Sequence, residues 1–230
     1  HQQPIRIRVL GNGLSHGNMA GTDGKLSDKI KRKEETEKMK KELKLTDILV
    51  TIVIAIAFGI VYILWGTVYY AVQPLGLHLD QLLYGMWFID GTVAYFIIRK
   101  PGVALLAEIA AASGEFLLGS PWGLTVLLSG VVQGLFAELV FMAFRYKRFD
   151  LKVAALAASA SCVGSLLVDA LNGQIAELAP WNLALYLLAR FAGSIFFAGV
   201  LAYYLAEVLE DTGVTNLVRP LSTEDFTDMD

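Results

Sequence analysis

Residues 82–119 read LLYGMWFIDGTVAYFIIRKPGVALLAEIAAASGEFLLG. Two apolar runs, 82–98 and 102–119, meet at Arg99, Lys100 and Pro101. Each run approaches the ~20 residues that a helix needs to cross ~30 Å of hydrocarbon. Two charges followed by an imino acid stop both helices, so the chain turns back tightly in water at that point. Working outward, comparable runs occupy residues 47–72, 123–145, 152–172 and 182–206. The expected fold is therefore all-α, an integral membrane bundle of six transmembrane helices over residues 47–210. Composition agrees, because 230 residues that are 55% hydrophobic and only 18% charged do not describe a water-soluble domain.

The flanks are polar. Residues 1–46 hold eleven of the 19 Lys and Arg, and residues 211–230 form an acidic tail. The N-terminal stretch opens on His1 rather than Met, as expected of a fragment or of a leftover expression tag. It is read as disordered or as a juxtamembrane helix over 25–44 that lies in water or on anionic lipid, and charges fill the place where a signal peptide has its apolar centre. Arg99 and Lys100, then Arg145, Lys147, Arg148 and Lys152, occupy alternate loops, whereas loops 73–81, 120–122 and 173–181 carry no Lys or Arg. The positive-inside bias then puts both termini in the cytoplasm and the chain in the cell membrane. A net charge of -3 excludes a general nucleic-acid binder.

Ionisable residues at membrane depth cost a few kcal/mol on insertion scales and tend to face a bundle interior or an aqueous cavity. Glu108 and Glu115, seven apart, share a face of the third span. Gln133 lies on the fourth span, with Glu138 on another face. Asp169 and Asn172 end the fifth, and Arg190 sits inside the sixth. In this topology Glu115, Asp169 and Asn172 fall near outer helix ends, with Gln133 and Arg190 deeper, so the group can ring an external cavity. Snorkelling interface residues are the alternative for Glu115, Asp169 and Asn172. Glu108 and Glu138 lie nearer the cytoplasm, where a structural hydrogen bond or pairing with Arg145 or Arg99 competes with a ligand role. Trp65, Trp87, Trp122 and Trp181 all map to the outer half. Tyr84 and Trp87, three apart beside Asp80, are candidates for a ligand wall. Carboxylates facing aromatic rings suit a cationic, planar ligand.

Helices in lipid gain little hydrophobic drive toward one another, so small residues must supply contact. Ala55 and Gly59, four apart in the first span, are the candidate docking seam for a partner helix. Catalysis is not expected: His1, His16 and His78 lie outside the spans, and Ser165 has no histidine near it in sequence. With Cys162 the single cysteine, no metal set or cofactor is expected either. A membrane-embedded enzyme or a non-binding scaffold subunit are the competing classes.

The motifs YGxWF, RKPGxAxxxE, ExLLGxPxG and GxxQGxxAE, all between Tyr84 and Glu138, resemble those of the YkoE family. These are thiamine-type substrate-binding S components of energy-coupling factor (ECF) transporters. The resemblance implies a six-helix subunit that captures thiamine or its hydroxymethylpyrimidine precursor from the outer face. It also implies a transmembrane T subunit and two cytoplasmic ATPase subunits or domains as partners. The sequence itself carries no GxxxxGK[ST] phosphate loop, which places ATP hydrolysis elsewhere. Carried over as motif members are Tyr84, Trp87, Glu108, Glu115, Gln133 and Glu138.

Overall fold

The computed structural model describes residues 42–218, so residues 25–41 of the basic stretch and 219–230 of the acidic tail lie outside the described residues. Every regular element among the described residues is helical. Helix α1 is Leu45–Val72, α2 Leu79–Leu83, α3 Ile89–Ile98, α4 Val103–Leu117, α5 Thr125–Ala143, α6 Leu151–Leu171, α7 Pro180–Ser194 and α8 Ala202–Asp211. A 3₁₀ turn, Tyr84–Phe88, joins α2 to α3, and a π-helical segment, Ile195–Leu201, joins α7 to α8. Among the described residues, five helical segments are long and apolar enough to cross a membrane: Leu45–Leu75, Leu79–Ile98, Thr125–Ala143, Leu151–Leu171 and Pro180–Asp211. The run 102–119 corresponds to α4, whose 15 residues rise only ~22 Å.

Helix α3, buried at every residue, is the centre of the bundle, and beside it α4 packs on α1, α3 and α5. The inward residues of α4, Ala104, Ala107, Ala111 and Ala112, are buried, which lets three neighbouring backbones approach it closely. Around this centre α6 packs on α5, α2 on α7, and α3 on α8.

The docking expectation for Ala55 and Gly59 is overturned by this arrangement. Ala55 is completely buried, and a Cβ on Gly59 would sit 3.2 Å from the Ala111 carbonyl oxygen of α4. The seam is used inside the chain, and a partner helix cannot reach it. Ala198, Ala202 and Ala206 of the last helix are equally buried.

The turn at Arg99 and Lys100 is held from three sides. Arg99 ends α3 in the left-handed conformation at φ 58°, and Gly102 precedes α4 at φ 84°. Lys100 Nζ donates to buried Asp47 at 2.5 Å, tying the turn to the first turn of α1, where the Lys44 N–H also donates to Asp47. From α5 the Glu138 carboxylate accepts the N–H groups of Gly102, Ala104 and Leu105 at 2.6, 3.1 and 3.3 Å. A carboxylate at the positive end of a helix dipole satisfies donors that the helix cannot pair itself.

Among the buried residues of the last long helix, Tyr186, Arg190, Ser194, Ala198, Ala202 and Ala206 stand four apart, with Gly193 and Gly199 buried beside them. At 3.6 residues per turn, such a series would drift by ~40° per step. The π-helical segment takes more residues per turn and offsets part of that drift, so one face stays inward along the whole length.

Candidate ligand-binding site

The ends of α1, α4 and α6 and the starts of α2, α5 and α7 meet at the pole opposite Arg99 and Lys100. They enclose a cavity of about 370 Å³. Its wall is aromatic. Trp87 packs edge-on against Tyr69 at 5.4 Å and tilted against Tyr84 at 5.6 Å between centroids, and Trp122 from the α4–α5 loop reaches Tyr69 at 6.2 Å and stacks on Tyr70.

One polar network closes the side formed by α2, α6 and α7. Arg190, 1% exposed, donates from Nε to Gln81 Oε1 at 2.8 Å, from Nη2 to the Tyr186 hydroxyl at 2.7 Å, and from Nη1 to Ser165 Oγ at 3.3 Å. It is ion-paired with Asp169, to which Tyr186 also donates at 2.7 Å. The guanidinium lies 3.6 Å above the Tyr84 ring centroid. Gln81 Nε2 continues the network to the Tyr69 hydroxyl at 2.9 Å and to Asp80 at 2.6 Å. The cation is fully engaged, so this network fixes the wall as well as charging it.

The other side is less satisfied. Glu115, 2% exposed, accepts from Ser120 Oγ at 3.0 Å through one oxygen, while its Oε2 has no hydrogen-bond partner among the described residues. The Trp87 indole N–H, also buried, has none. A buried donor and a buried acceptor left open on one cavity wall are costly unless something else completes them. Glu108, Gln133 and Asn172 line the same space.

The profile of a family described as "ABC-type cobalt transport system, permease component" matches residues 46–164. A solved structure described as an S-component of an ECF transporter matches with a TM-score of 0.73 and 38% identity, over 76% of this chain and 89% of that one. A Bacillus subtilis (strain 168) protein named as the HMP/thiamine permease protein YkoE is 39% identical over 179 residues, 76% of this chain and 89% of that protein. The chain belongs to the YkoE family of ECF S components.

The YkoE motifs distribute unequally over the cavity. Tyr84 and Trp87 of YGxWF, Glu108 of RKPGxAxxxE, Glu115 of ExLLGxPxG and Gln133 of GxxQGxxAE all line it, as do Asp169, Asn172 and Arg190. Two expected residues do not. Glu138 is occupied as the cap of α4, and Trp65 donates its indole N–H to the Leu83 carbonyl at 2.9 Å while its ring meets Phe197. Sequence reading passes over Gln81 and Tyr62, and treats Asp80 and His78 as loop residues, although all four line the cavity. Helix α2 begins at Leu79, three residues before the expected span, and carries Asp80 and Gln81 inward. Because Glu138 serves the fold, Glu138→Ala is expected to cost roughly 2 kcal/mol of stability. Thermal unfolding should detect that loss, and ligand affinity of the folded fraction should stay unchanged.

Proposed function

We propose that this chain is the substrate-capturing subunit of an ECF-type vitamin importer, taking thiamine or its hydroxymethylpyrimidine precursor from the outer face of the cell membrane. The observation that carries the reading is the aromatic cavity in whose wall the Glu115 carboxylate and the Trp87 indole N–H are both buried. Thiamine offers a thiazolium cation to ring faces and carboxylates, and an aminopyrimidine with both donor and acceptor edges. At about 370 Å³ the cavity is at the small end of the ~300–1,000 Å³ typical of small-molecule pockets. The B. subtilis relative's name supports the same pair of ligands.

In this reading six helices cross the membrane, α4 being the shortest, with both termini cytoplasmic. The Lys and Arg distribution supports that orientation, since Arg99, Lys100 and the 145–152 cluster gather at the pole opposite the cavity. A T subunit and two ATPase subunits or domains supply the energy, and binding itself needs none of them.

The test is titration of the purified full chain in nanodiscs with thiamine, hydroxymethylpyrimidine and Co²⁺ in separate arms. Saturable tryptophan quenching by either organic ligand is the expected result, given Trp87 and Trp122 in the wall. Saturation by Co²⁺ alone, or by nothing, overturns the reading.

A further inference from the structure

Among the described residues, the carboxylates that line the cavity are Asp80, Glu108, Glu115 and Asp169, and Arg190 is the one Lys or Arg that does so. Asp90 of α3 is fully buried, accepts from the Tyr62 hydroxyl at 2.9 Å and does not line it. Arg190 is ion-paired with Asp169. Asp80, 6% exposed in the first turn of α2, has no Lys or Arg in ion-pair contact among the described residues. His78, two residues before it, is hydrogen-bonded to Asn182 at 2.6 Å.

What Asp80 does have is Gln81. A guanidinium carries only donors, so the Gln81 amide must turn its oxygen toward Arg190. Both Arg190 bonds to Gln81 end on Oε1, at 2.8 Å from Nε and 2.5 Å from Nη2. The opposite edge of the amide is thereby fixed as a donor, and Gln81 Nε2 donates to Asp80 Oδ2 at 2.6 Å and to the Tyr69 hydroxyl at 2.9 Å. This contact orients the Asp80 carboxylate without neutralising it, because an amide has no net charge. A carboxylate has roughly four acceptor sites, of which Gln81 fills one.

We propose that Asp80 binds the ligand by accepting a hydrogen bond from the exocyclic amino group of the aminopyrimidine, with Gln81 and Arg190 as positioning residues behind it. The amino group, not the cation, belongs at this wall. One amide separates Asp80 from the Arg190 guanidinium, so a thiazolium seated on Asp80 would face a buried like charge, whereas an amino group is an uncharged donor. Glu115 on α4 has no Lys or Arg in ion-pair contact among the described residues, and is the carboxylate left for the cation. Thiamine and hydroxymethylpyrimidine share the aminopyrimidine, so one carboxylate reads both. This inference rests on the function proposed above.

The experiment titrates the full chain in nanodiscs, wild type and Asp80→Asn, by tryptophan quenching. Its ligands are thiamine, hydroxymethylpyrimidine and the thiamine analogue that carries an oxo group in place of the amino group. In Asp80→Asn the amide oxygen keeps the Gln81 bond and an NH₂ replaces the other carboxylate oxygen, so donor meets donor at the ligand. Thiamine and hydroxymethylpyrimidine should both bind about tenfold or more weakly, by similar factors, with the thermal midpoint little changed. The oxo analogue should bind the variant at least as tightly as it binds wild type, because its oxygen accepts where thiamine donates. An Asp80 that only supports the wall would lower all three affinities together, and that result overturns the proposal. Unchanged affinity for all three, or a loss confined to thiamine, overturns it too. If Asp80→Asn fails to fold, the wild type decides: it should prefer thiamine to the oxo analogue by about tenfold or more, and equal affinities overturn the proposal. Binding of neither vitamin to wild type removes the function reading and this inference with it. Vitamin binding that ignores Asp80→Asn removes this inference alone.

Discussion

Arg190→Met is expected to destabilise the fold by ~3–5 kcal/mol and to remove ligand binding with it. The substitution keeps most of the side-chain volume but takes the cation from Asp169 inside a buried pair, which leaves an uncompensated charge. It also removes the donors to Gln81 and Ser165, and with Gln81 released, the α2 segment keeps only its His78–Asn182 hydrogen bond to α7 among the polar ties described. Tyr84 loses the guanidinium that lies against its ring, so the aromatic wall is loosened from the same point. Lys should not rescue, because one ammonium cannot reproduce a planar fork that meets Gln81, Asp169 and Tyr186 together while lying on Tyr84. Thermal unfolding in detergent and calorimetric titration with thiamine measure the two effects. A well-folded, binding-competent Arg190→Met protein would show that the network is decoration.

Glu115→Gln is expected to separate binding from stability. The amide can still accept from Ser120 Oγ, so the loop after α4 keeps its contact and the thermal midpoint should barely move. Thiamine affinity should fall by ~2–5 kcal/mol, roughly thirty-fold to several thousand-fold, because a desolvated cation then faces a neutral oxygen. The loss should be larger for thiamine than for the uncharged pyrimidine if the thiazolium lies against Glu115, and equal titrations of both ligands resolve that. An unchanged thiamine Kd would make Glu115 a partner of Ser120 only, and would move the carboxylate role to Glu108.

Much of this site is legible in the sequence because the bilayer penalises polar residues so heavily that each one inside an apolar run stands out. Glu108 and Glu115 at seven-residue spacing, Asp169 and Asn172 at a helix end, and Arg190 in a span all line one cavity for that reason. Asp90 carries the same signal in the middle of the run 82–98, yet aromatic neighbours on either side draw attention to the wall instead. Glu138 is misassigned because a carboxylate at a helix face and a carboxylate capping the next helix look identical until the tertiary fold puts the Gly102 N–H in front of it. Ala55 and Gly59 fail differently. Small residues four apart announce close packing, but not whether the partner is another chain or, as here, α4. The length of α4 is hidden by flanking residues that are apolar enough to extend the run without being helical.

The π-helical segment at Ile195–Leu201 makes the length of the last helix matter more than its composition there. Ile195 and Phe196 are exposed, and other apolar residues would serve in their place. Adding a single residue between Arg190 and Ala202 is another matter. The segment already holds one residue more than three α turns between Arg190 and Ala202 need, so a further one could not be absorbed and everything before it would swing by ~100° about the axis relative to everything after it, whereas a deletion would relax to α geometry in phase. Arg190 and Tyr186 would then point away from Asp169 while Ala202 and Ala206 kept their places. In this stretch an insertion should be far less forgivable than any apolar exchange or than the loss of one residue.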